Sequence, residues 1–448
     1  MVNKRYKTII VNKKLHMTIA QLYQHYLLHP TICTDTRKIT PGCLFFALKG
    51  ENFNANTFAL RALENGAAFA VIDDVEYQKD NRFLLVDDTL IALQQLAKYH
   101  RQQLNIPVIG LTGSNGKTTT KELIHSVLSQ KYKTHATKGN FNNHIGVPLT
   151  LLEIKPDAEV AIIEMGANHQ KEIELLCDIC QPNYGLITNV GKAHLEGFGG
   201  FEGVKKGKGE LYDFLEKSHG TAFINKDNTH LLDMAETRKL DKIIYYGSHA
   251  SDTLNGELIK NDPFIEVKWK HQGENYTVHS KLTGIYNFEN ILAAIAIGLE
   301  FGLSAEEINQ GIDTYEPQNN RSQIIKTVKN TVIGDYYNAN PSSMVVAIEN
   351  LAKLNANEKV IILGDMFELG DEAALEHENI LQKALEQHFN KTIFIGDEFY
   401  KLNELADALF FKTTLEAVAE LKKNPIKNAL VLLKGSRSMK LETLMELL

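Results

Sequence analysis

Residues 108–121 read VIGLTGSNGKTTTK. Val108, Ile109, Gly110 and Leu111 close a buried strand, a turn rich in glycine and hydroxyls follows, and KELIHSVLSQKY continues with helical spacing. A strand, a Gly-Lys-Thr turn and a helix make a phosphate cradle, because backbone N–H groups and a helix N-terminus point at the anion. Gly113, Ser114, Asn115, Gly116 and Thr119 are the residues expected around a nucleotide, with Lys117 on its β/γ-phosphates and the Thr118 hydroxyl on Mg²⁺. The strict pattern G-x-x-x-x-G-K-[ST] wants glycine at 111, where this chain has Leu111; its glycines are Gly110, Gly113 and Gly116. A strand before the turn and a run of threonines after it argue against a chance Gly-Lys pair. A nucleotide site is the expectation.

The rest of the chain bounds that site. Its 448 residues suggest about three domains as a soft prior. Hydrophobic residues make up 44% and charged ones 23%, ordinary values for a globular protein. A net charge of −7 gives no global pull toward nucleic acid or an anionic membrane. No apolar run approaches the ~20 residues of a membrane span, and MVNKRYKTIIVNKKLHM lacks the apolar core of a signal peptide. The expectation is a cytoplasmic, monomeric enzyme. Four cysteines are too few for a disulfide framework in so long a chain, and Cys177 and Cys180, at i, i+3 on one helix face, read as buried structural thiols.

Three segments follow, 1–88, 89–316 and 317–448. In the first, MTIAQLYQHYL is helical by spacing, GCLFFALKG is a short buried strand between turn formers, and ALRALENG is a helix ended by Gly66 before the strand AFAVID. Thr36 and Arg37 lie in an exposed loop of this small α/β module, just before a strand, a pair that by itself says nothing of a ligand. In the second, AEVAIIEMG, YGLITNVG, GTAFINKD and KIIYYG alternate with helical patterns, which argues a mainly parallel sheet. Ligands belong at the carboxyl ends of such strands. Lys117, Thr118, Glu164 and His194 all follow strands and are expected to converge on one Mg²⁺-phosphate site. An imidazole is an unusual Mg²⁺ ligand and marks a second, distinct ion.

Asn140, Asn142 and Asn143 suit a loop that hydrogen-bonds a ligand without bringing charge. NGELIKNDPFIEVKWKHQGENYTVHSKLTG reads as antiparallel hairpins in an appended small sheet. Asn287 and Asn290 share a helix face, where an amide can pair with an adenine edge. The third segment renews the strand–helix alternation as a second doubly wound α/β domain. Within it, GDYYNANP sets Asp335 after a buried strand, then Asn338 and Asn340 in a turn rich in side-chain acceptors before Pro341.

Taken together these motifs resemble the Mur ligases. G-x-T-G-x-N-G-K-T-T is similar to the ATP loop that this family shares with folylpolyglutamate synthases, which lack the first domain. DTR…PG…LFFAL-G resembles the family's UDP-binding domain, although Asn56 stands where histidine is usual. NFNNHIGVP, EMGANH and DYYNANPSSM resemble the branch that adds a terminal dipeptide, and the Asp-Asn-Pro-Arg motif of the branch adding a single residue is absent. One departure is Gly334-Asp335-Tyr336-Tyr337, where that branch often reads Asp-Asp-Ser-Tyr.

The resemblance implies an α/β fold of three domains: a UDP-binding α/β module, a central P-loop-type mainly parallel sheet with a small antiparallel sheet, and a C-terminal Rossmann-like doubly wound domain. It implies ATP and two Mg²⁺, with UDP-MurNAc-tripeptide and D-Ala-D-Ala as substrates. Lys117, Glu164, His194 and Lys208 would be catalytic, Lys208 as a carbamate that ligates the second Mg²⁺ alongside His194, with Thr118 and Glu164 as metal ligands too. Lys205 and Lys206 are the plain surface alternatives. Thr36 and Arg37 would hold the UDP moiety, Asn140, Asn142, Asn143, Asn338 and Asn340 the peptide substrates, and Asn287, Asn290, Arg321 and Asp335 the nucleotide. Another Mur-type ligase, or a non-catalytic nucleotide-dependent regulator of the same fold, stays open; intact Lys117, Thr118, Glu164 and His194 argue against the regulator.

Overall fold

Five consecutive buried residues, Val108–Thr112, form the strand that ends in the glycine-rich loop. Burial on both faces is what a strand in the middle of a helix-covered parallel sheet requires, and it explains the unbroken apolar run. The computed structural model describes residues 16–249, 254–318 and 321–448. The basic N-terminal stretch at 1–15 and the two asparagines before Arg321 lie outside them.

The described chain forms two compact units. The first runs to Asn105 and takes in Pro148–Ile154. Its four-stranded parallel sheet has the order Ile32–Cys33, Leu44–Phe46, Phe69–Ile72, Phe83–Leu85. The helix Ile19–Leu28 opens with a capping box in which Thr18 and Gln21 satisfy each other's backbone N–H groups. It packs on the helix Thr89–Gln103. That second helix, whose residues fall within the segment 89–316 expected from the sequence, joins this unit because its apolar face (Leu93, Leu96, Ala97) is buried here.

The second unit, Ile106–Val147 with Lys155–Leu448, holds two sheets. The nine-stranded sheet runs Glu274–His279, Ile265–His271, Leu254–Asn261, Lys242–Gly247, Thr221–Asn225, Tyr184–Ile187, Val108–Thr112, Val160–Glu164, Thr134–Ala136. The expected antiparallel hairpins are present, but as an extension of this sheet: Tyr246 and Gly247 pair in parallel with Leu254 and Asn255. The six-stranded sheet runs Gln323–Lys326, Thr331–Asp335, Leu430–Lys434, Lys359–Gly364, Lys391–Ile395, Leu409–Phe411, parallel except for its first pair. Among the described residues no helix is long and apolar enough to cross a membrane. None of the four cysteines is in a disulfide and all are buried, as read for Cys177 and Cys180.

Candidate active site

The loop geometry starts from its glycines. Gly113 has φ 149°, and a Cβ there would lie 1.9 Å from the Thr188 hydroxyl oxygen. Gly116 has φ 78° and caps the helix Lys117–Leu128; a Cβ on it would lie 2.8 Å from Asn290 Oδ1. Both positions demand glycine. Leu111 departs from the strict motif without cost, since it sits inside the strand with its side chain in the core.

A second turn braces the loop. The Asn115 N–H donates to Asn189 Oδ1 at 3.0 Å, the Thr188 hydroxyl donates to the Asn115 carbonyl at 2.6 Å, and the Gly191 N–H donates to Ser114 Oγ at 2.9 Å. Lys117 Nζ folds back on the Gly113 and Ser114 carbonyls at 2.6 and 3.2 Å. Burial pulls its pKa from 10.5 down to about 8, with Glu164 opposing and the Arg321 charge adding to the shift. Glu164, 1% exposed, accepts from the Thr118 hydroxyl at 3.0 Å and from the Asn142 amide at 2.8 Å. Lys121 lies 3.9 Å from it, and donates instead to the Thr137 carbonyl at 2.7 Å.

The loop opens onto a cavity of about 600 Å³. The C-terminal sheet supplies the facing wall. Arg321 stacks on Tyr337 with its guanidinium carbon 3.9 Å from the ring centre, and its Nε is buried without a hydrogen-bond partner. Asp335 accepts from Lys434 Nζ at 2.7 Å, and Lys434 is 2% exposed. Asn340 caps the helix Pro341–Lys353, and its amide donates to Asn115 Oδ1 in the loop at 2.8 Å.

His194, at the start of a short helix with φ 53°, lines the same cavity and is hydrogen-bonded through Nδ1 to Glu368 of the C-terminal part, which holds the Glu368 carboxyl below its usual range. Lys208 lies on the helix Phe201–Ser218, 1% exposed and outside the cavity lining, with Nζ 3.3 Å from the Ala167 carbonyl and 5.0 Å from the Phe198 ring centre. Burial and then the Lys117 charge drive its pKa well below 10.5, opposed by Glu172 and Glu210. By contrast Lys205, on the same helix, is simply paired with Glu202 at 2.6 Å. Among the described residues no group of three or more His, Cys, Asp and Glu side chains is gathered as a metal cage.

Comparison with known proteins settles the family. Residues 111–298 match the model of the Mur ligase middle domain, and 320–437 that of the Mur ligase glutamate ligase domain. The UDP-N-acetylmuramoyl-tripeptide–D-alanyl-D-alanine ligase of Bacillus subtilis is 35% identical, over 95% of this chain and 94% of its own. The chain belongs to the Mur ligase family. The Escherichia coli ligase of the same name is 35% identical over 92% of each chain. The crystal structure of MurF from Acinetobacter baumannii superposes with a TM-score of 0.85 at 32% identity, covering 96% of this chain and 98% of that one.

In this Mur ligase the amides are busy. Asn287 Nδ2 donates to the Thr283 carbonyl at 2.8 Å, Asn290 Nδ2 donates to Asn287 Oδ1 at 2.8 Å, and the Thr120 hydroxyl donates to Asn290 Oδ1 at 2.9 Å. Both asparagines line the cavity as a brace behind the loop helix. Asn143 Oδ1 accepts from the Ile145 and Gly146 N–H groups at 3.1 and 2.8 Å, opening the helix Gly146–Leu152. Asn140 and Asn338 line the cavity as well, Asn338 accepting from the Ala339 N–H at 2.9 Å.

Thr36 and Arg37 lie in the first unit, on a short 3₁₀ turn capped by Asp35. Arg37 is 86% exposed at its side chain and forks onto Asp35, Nε to Oδ1 at 2.9 Å and Nη2 to Oδ2 at 2.8 Å. Asn56 is fully buried and donates to Asp73 at 2.7 Å, so it serves the interior of that unit.

Sequence reasoning missed Asn189, Lys192, Glu368, Glu376, Lys434 and Arg437. Lys192 N–H donates to Ser342 Oγ at 2.9 Å and its Nζ to Glu376 at 2.5 Å, clamping the turn that braces the ATP loop to the C-terminal part. The one available signal was GSRSM directly after the strand Leu430–Lys434, at a carboxyl sheet edge.

Proposed function

We propose that the chain is an ATP-dependent, ADP-forming ligase that joins D-alanyl-D-alanine to UDP-N-acetylmuramoyl-tripeptide in peptidoglycan precursor synthesis. The carrying observation is full-length likeness to ligases of that name, 35% identity over 95% of the chain. The cavity supports the reading, since it sets a phosphate loop from one sheet against arginines from the other.

In this reading residues 1–88 take the UDP moiety through Thr36 and Arg37, 89–316 take ATP, and 317–448 close over it. The tripeptide carboxylate attacks the γ-phosphorus of ATP, giving an acyl phosphate and ADP. The dipeptide amine then attacks the acyl carbon, and phosphate leaves from the tetrahedral intermediate. Both steps gather negative charge, so preorganised cations and N–H groups are the main catalytic tool. Lys117 leaves its own loop carbonyls for the phosphates. Arg321, with its orphaned Nε, meets the same phosphates or the acyl phosphate. Asn287 and Asn290 fix the nucleotide pocket, Asp335 meets the ribose, and the Asn140–Asn143 loop with Asn338 and Asn340 faces the peptides.

The donor set fits magnesium. Glu164 and Thr118 present hard oxygen ligands beside the loop, where phosphate oxygens and water would complete the shell. A second ion would take His194 through Nε2 and Lys208 as a carbamate. The buried Lys208 amine, with a lowered pKa and the Ala167 carbonyl and Phe198 ring beside it, suits reaction with CO₂. Bound Mg²⁺ would neutralise phosphate charge. The chain acts as a monomer in the cytoplasm, without a membrane or nucleic-acid partner.

ADP release tests the reading. It should require both peptide substrates for full rate; equal release with neither present would make the chain a plain ATPase.

A further inference from the structure

Among the described residues that are not glycine yet hold a positive φ, three line the cavity: His194 at 53°, Ser322 at 51° and Glu368 at 63°. Two of these are bonded to each other, His194 Nδ1 to the Glu368 carboxylate. The left-handed region is costly for an L residue, and such outliers persist where the surrounding structure over-determines them, often at functional sites. Both neighbourhoods are firm. Leu195 and Phe198, in the short helix that His194 opens, are buried. Glu368 has buried Met366 and Leu369 on either side, and the Met366 N–H donates to His377 Nε2 at 3.0 Å.

Docking of the C-terminal part does not by itself need this pair. The turn 368–376 lies against 192–196, where Lys192 Nζ donates to Glu376 at 2.5 Å and a Cβ on Gly370 would lie 3.2 Å from Glu196 Cβ. Neither Lys192 nor Glu376 takes a positive φ to make its bond. The His194–Glu368 bond does something the other cannot. An ionised carboxylate only accepts, so in the neutral ring the proton sits on Nδ1 and Nε2 keeps its lone pair. Free histidine favours the opposite tautomer, with the proton on Nε2.

Resting on the ligase reading above, in which His194 holds the second ion through Nε2, we infer that Glu368 is a positioning residue for that imidazole. It fixes the Nδ1–H tautomer and the direction of the ring, and so readies Nε2 for the metal. The carboxylate also makes the ring a stronger donor to the ion. A plain salt bridge and a positioning bond make different demands: the first needs charge, the second an acceptor.

The test reads the ring itself, by NMR of the full chain with isotope-labelled histidine ring nitrogens. It is run at about pH 8.5, where the ring is neutral, and in EDTA so that no metal sets the tautomer. His194, identified as the signal lost in H194N, should carry its proton on Nδ1. E368A should move the proton to Nε2, whereas E368Q, which loses the charge but keeps an acceptor, should hold the wild-type form. E376Q, which loosens the same docking without touching the ring, should hold it too. The Mg²⁺ concentration for half-maximal ligation should rise about 10- to 100-fold in E368A, with E368Q between it and the wild type. A proton on Nε2 in the wild type, an unchanged ring or Mg²⁺ dependence in E368A, or a shift in E368Q or E376Q as large as in E368A would overturn the proposal. If E368A does not fold, the wild-type, E368Q and E376Q spectra decide alone. A wild-type chain that forms no dipeptide adduct would instead overturn the ligase reading, whatever the ring shows.

Discussion

The side-chain amide of Asn340 donates to Asn115 Oδ1 at 2.8 Å, so the cap of a C-terminal helix holds the tip of the ATP loop. The same Asn340 Oδ1 accepts from the Ser343 N–H at 2.9 Å. One residue therefore does two separable things, capping and bridging.

Replacing it separates them. N340D keeps an N-cap acceptor and should lie within about 0.5 kcal/mol of wild type, whereas N340A should lose about 1 kcal/mol. Both lose the bridge, so both should raise the KM for ATP. Denaturant melts with steady-state kinetics check this; a normal KM in N340D would remove Asn115–Asn340 from the account.

Lys117→Ala should slow ligation by roughly 10³-fold, the scale of a lost transition-state cation. The folded chain already disfavours this charge, since burial lowers the pKa to about 8, so the melting temperature should not fall. Near-normal turnover would dissociate the loop from the chemistry.

Arg37→Ala should raise the KM for the nucleotide peptide far more than that for ATP, because the lost contact is remote from the reacting bond. A second readout comes from Asp35, whose carboxyl the Arg37 side chain holds at about 2 instead of 3.8. The pair's stabilisation is present above pH 3.8 and is lost as pH falls toward about 2. Carboxyl NMR of R37A should show Asp35 titrating higher than in the wild type yet still below its ordinary value, because the backbone N–H of residue 37 goes on donating to it.

Lys208→Ala should be nearly inactive, and a small carboxylate such as acetate should restore part of the rate. An anion can replace a carbamate but never an ammonium. Absence of rescue, with an unmodified Lys208 mass, would assign the second metal another ligand.

Much of this was legible in the chain. Central parallel strands are buried on both faces, so Val160–Glu164 and Leu430–Lys434 stand out as short apolar runs, and Gly113 and Gly116 announce a loop that tolerates no Cβ. Leu409–Phe411 was not legible, being a half-buried edge strand of three residues. Nor was the joining of the hairpins to the central sheet, which rests on two paired residues. The clamp residues Ser342, Glu368 and Glu376 were invisible for a different reason. Each is an ordinary polar residue until the fold brings it to a partner more than a hundred positions away, as with Lys192 and Glu376. Asn143 and Asn290 look like ligand amides in sequence, and the structure also gives them internal partners.

The most direct test is the product itself. Purified protein with ATP, Mg²⁺, UDP-MurNAc-tripeptide and D-Ala-D-Ala, read by mass spectrometry, should yield UDP-MurNAc-pentapeptide with one ADP per product. ADP formed with the tripeptide mass unchanged, or an adduct formed only with single amino acids, would contradict the account.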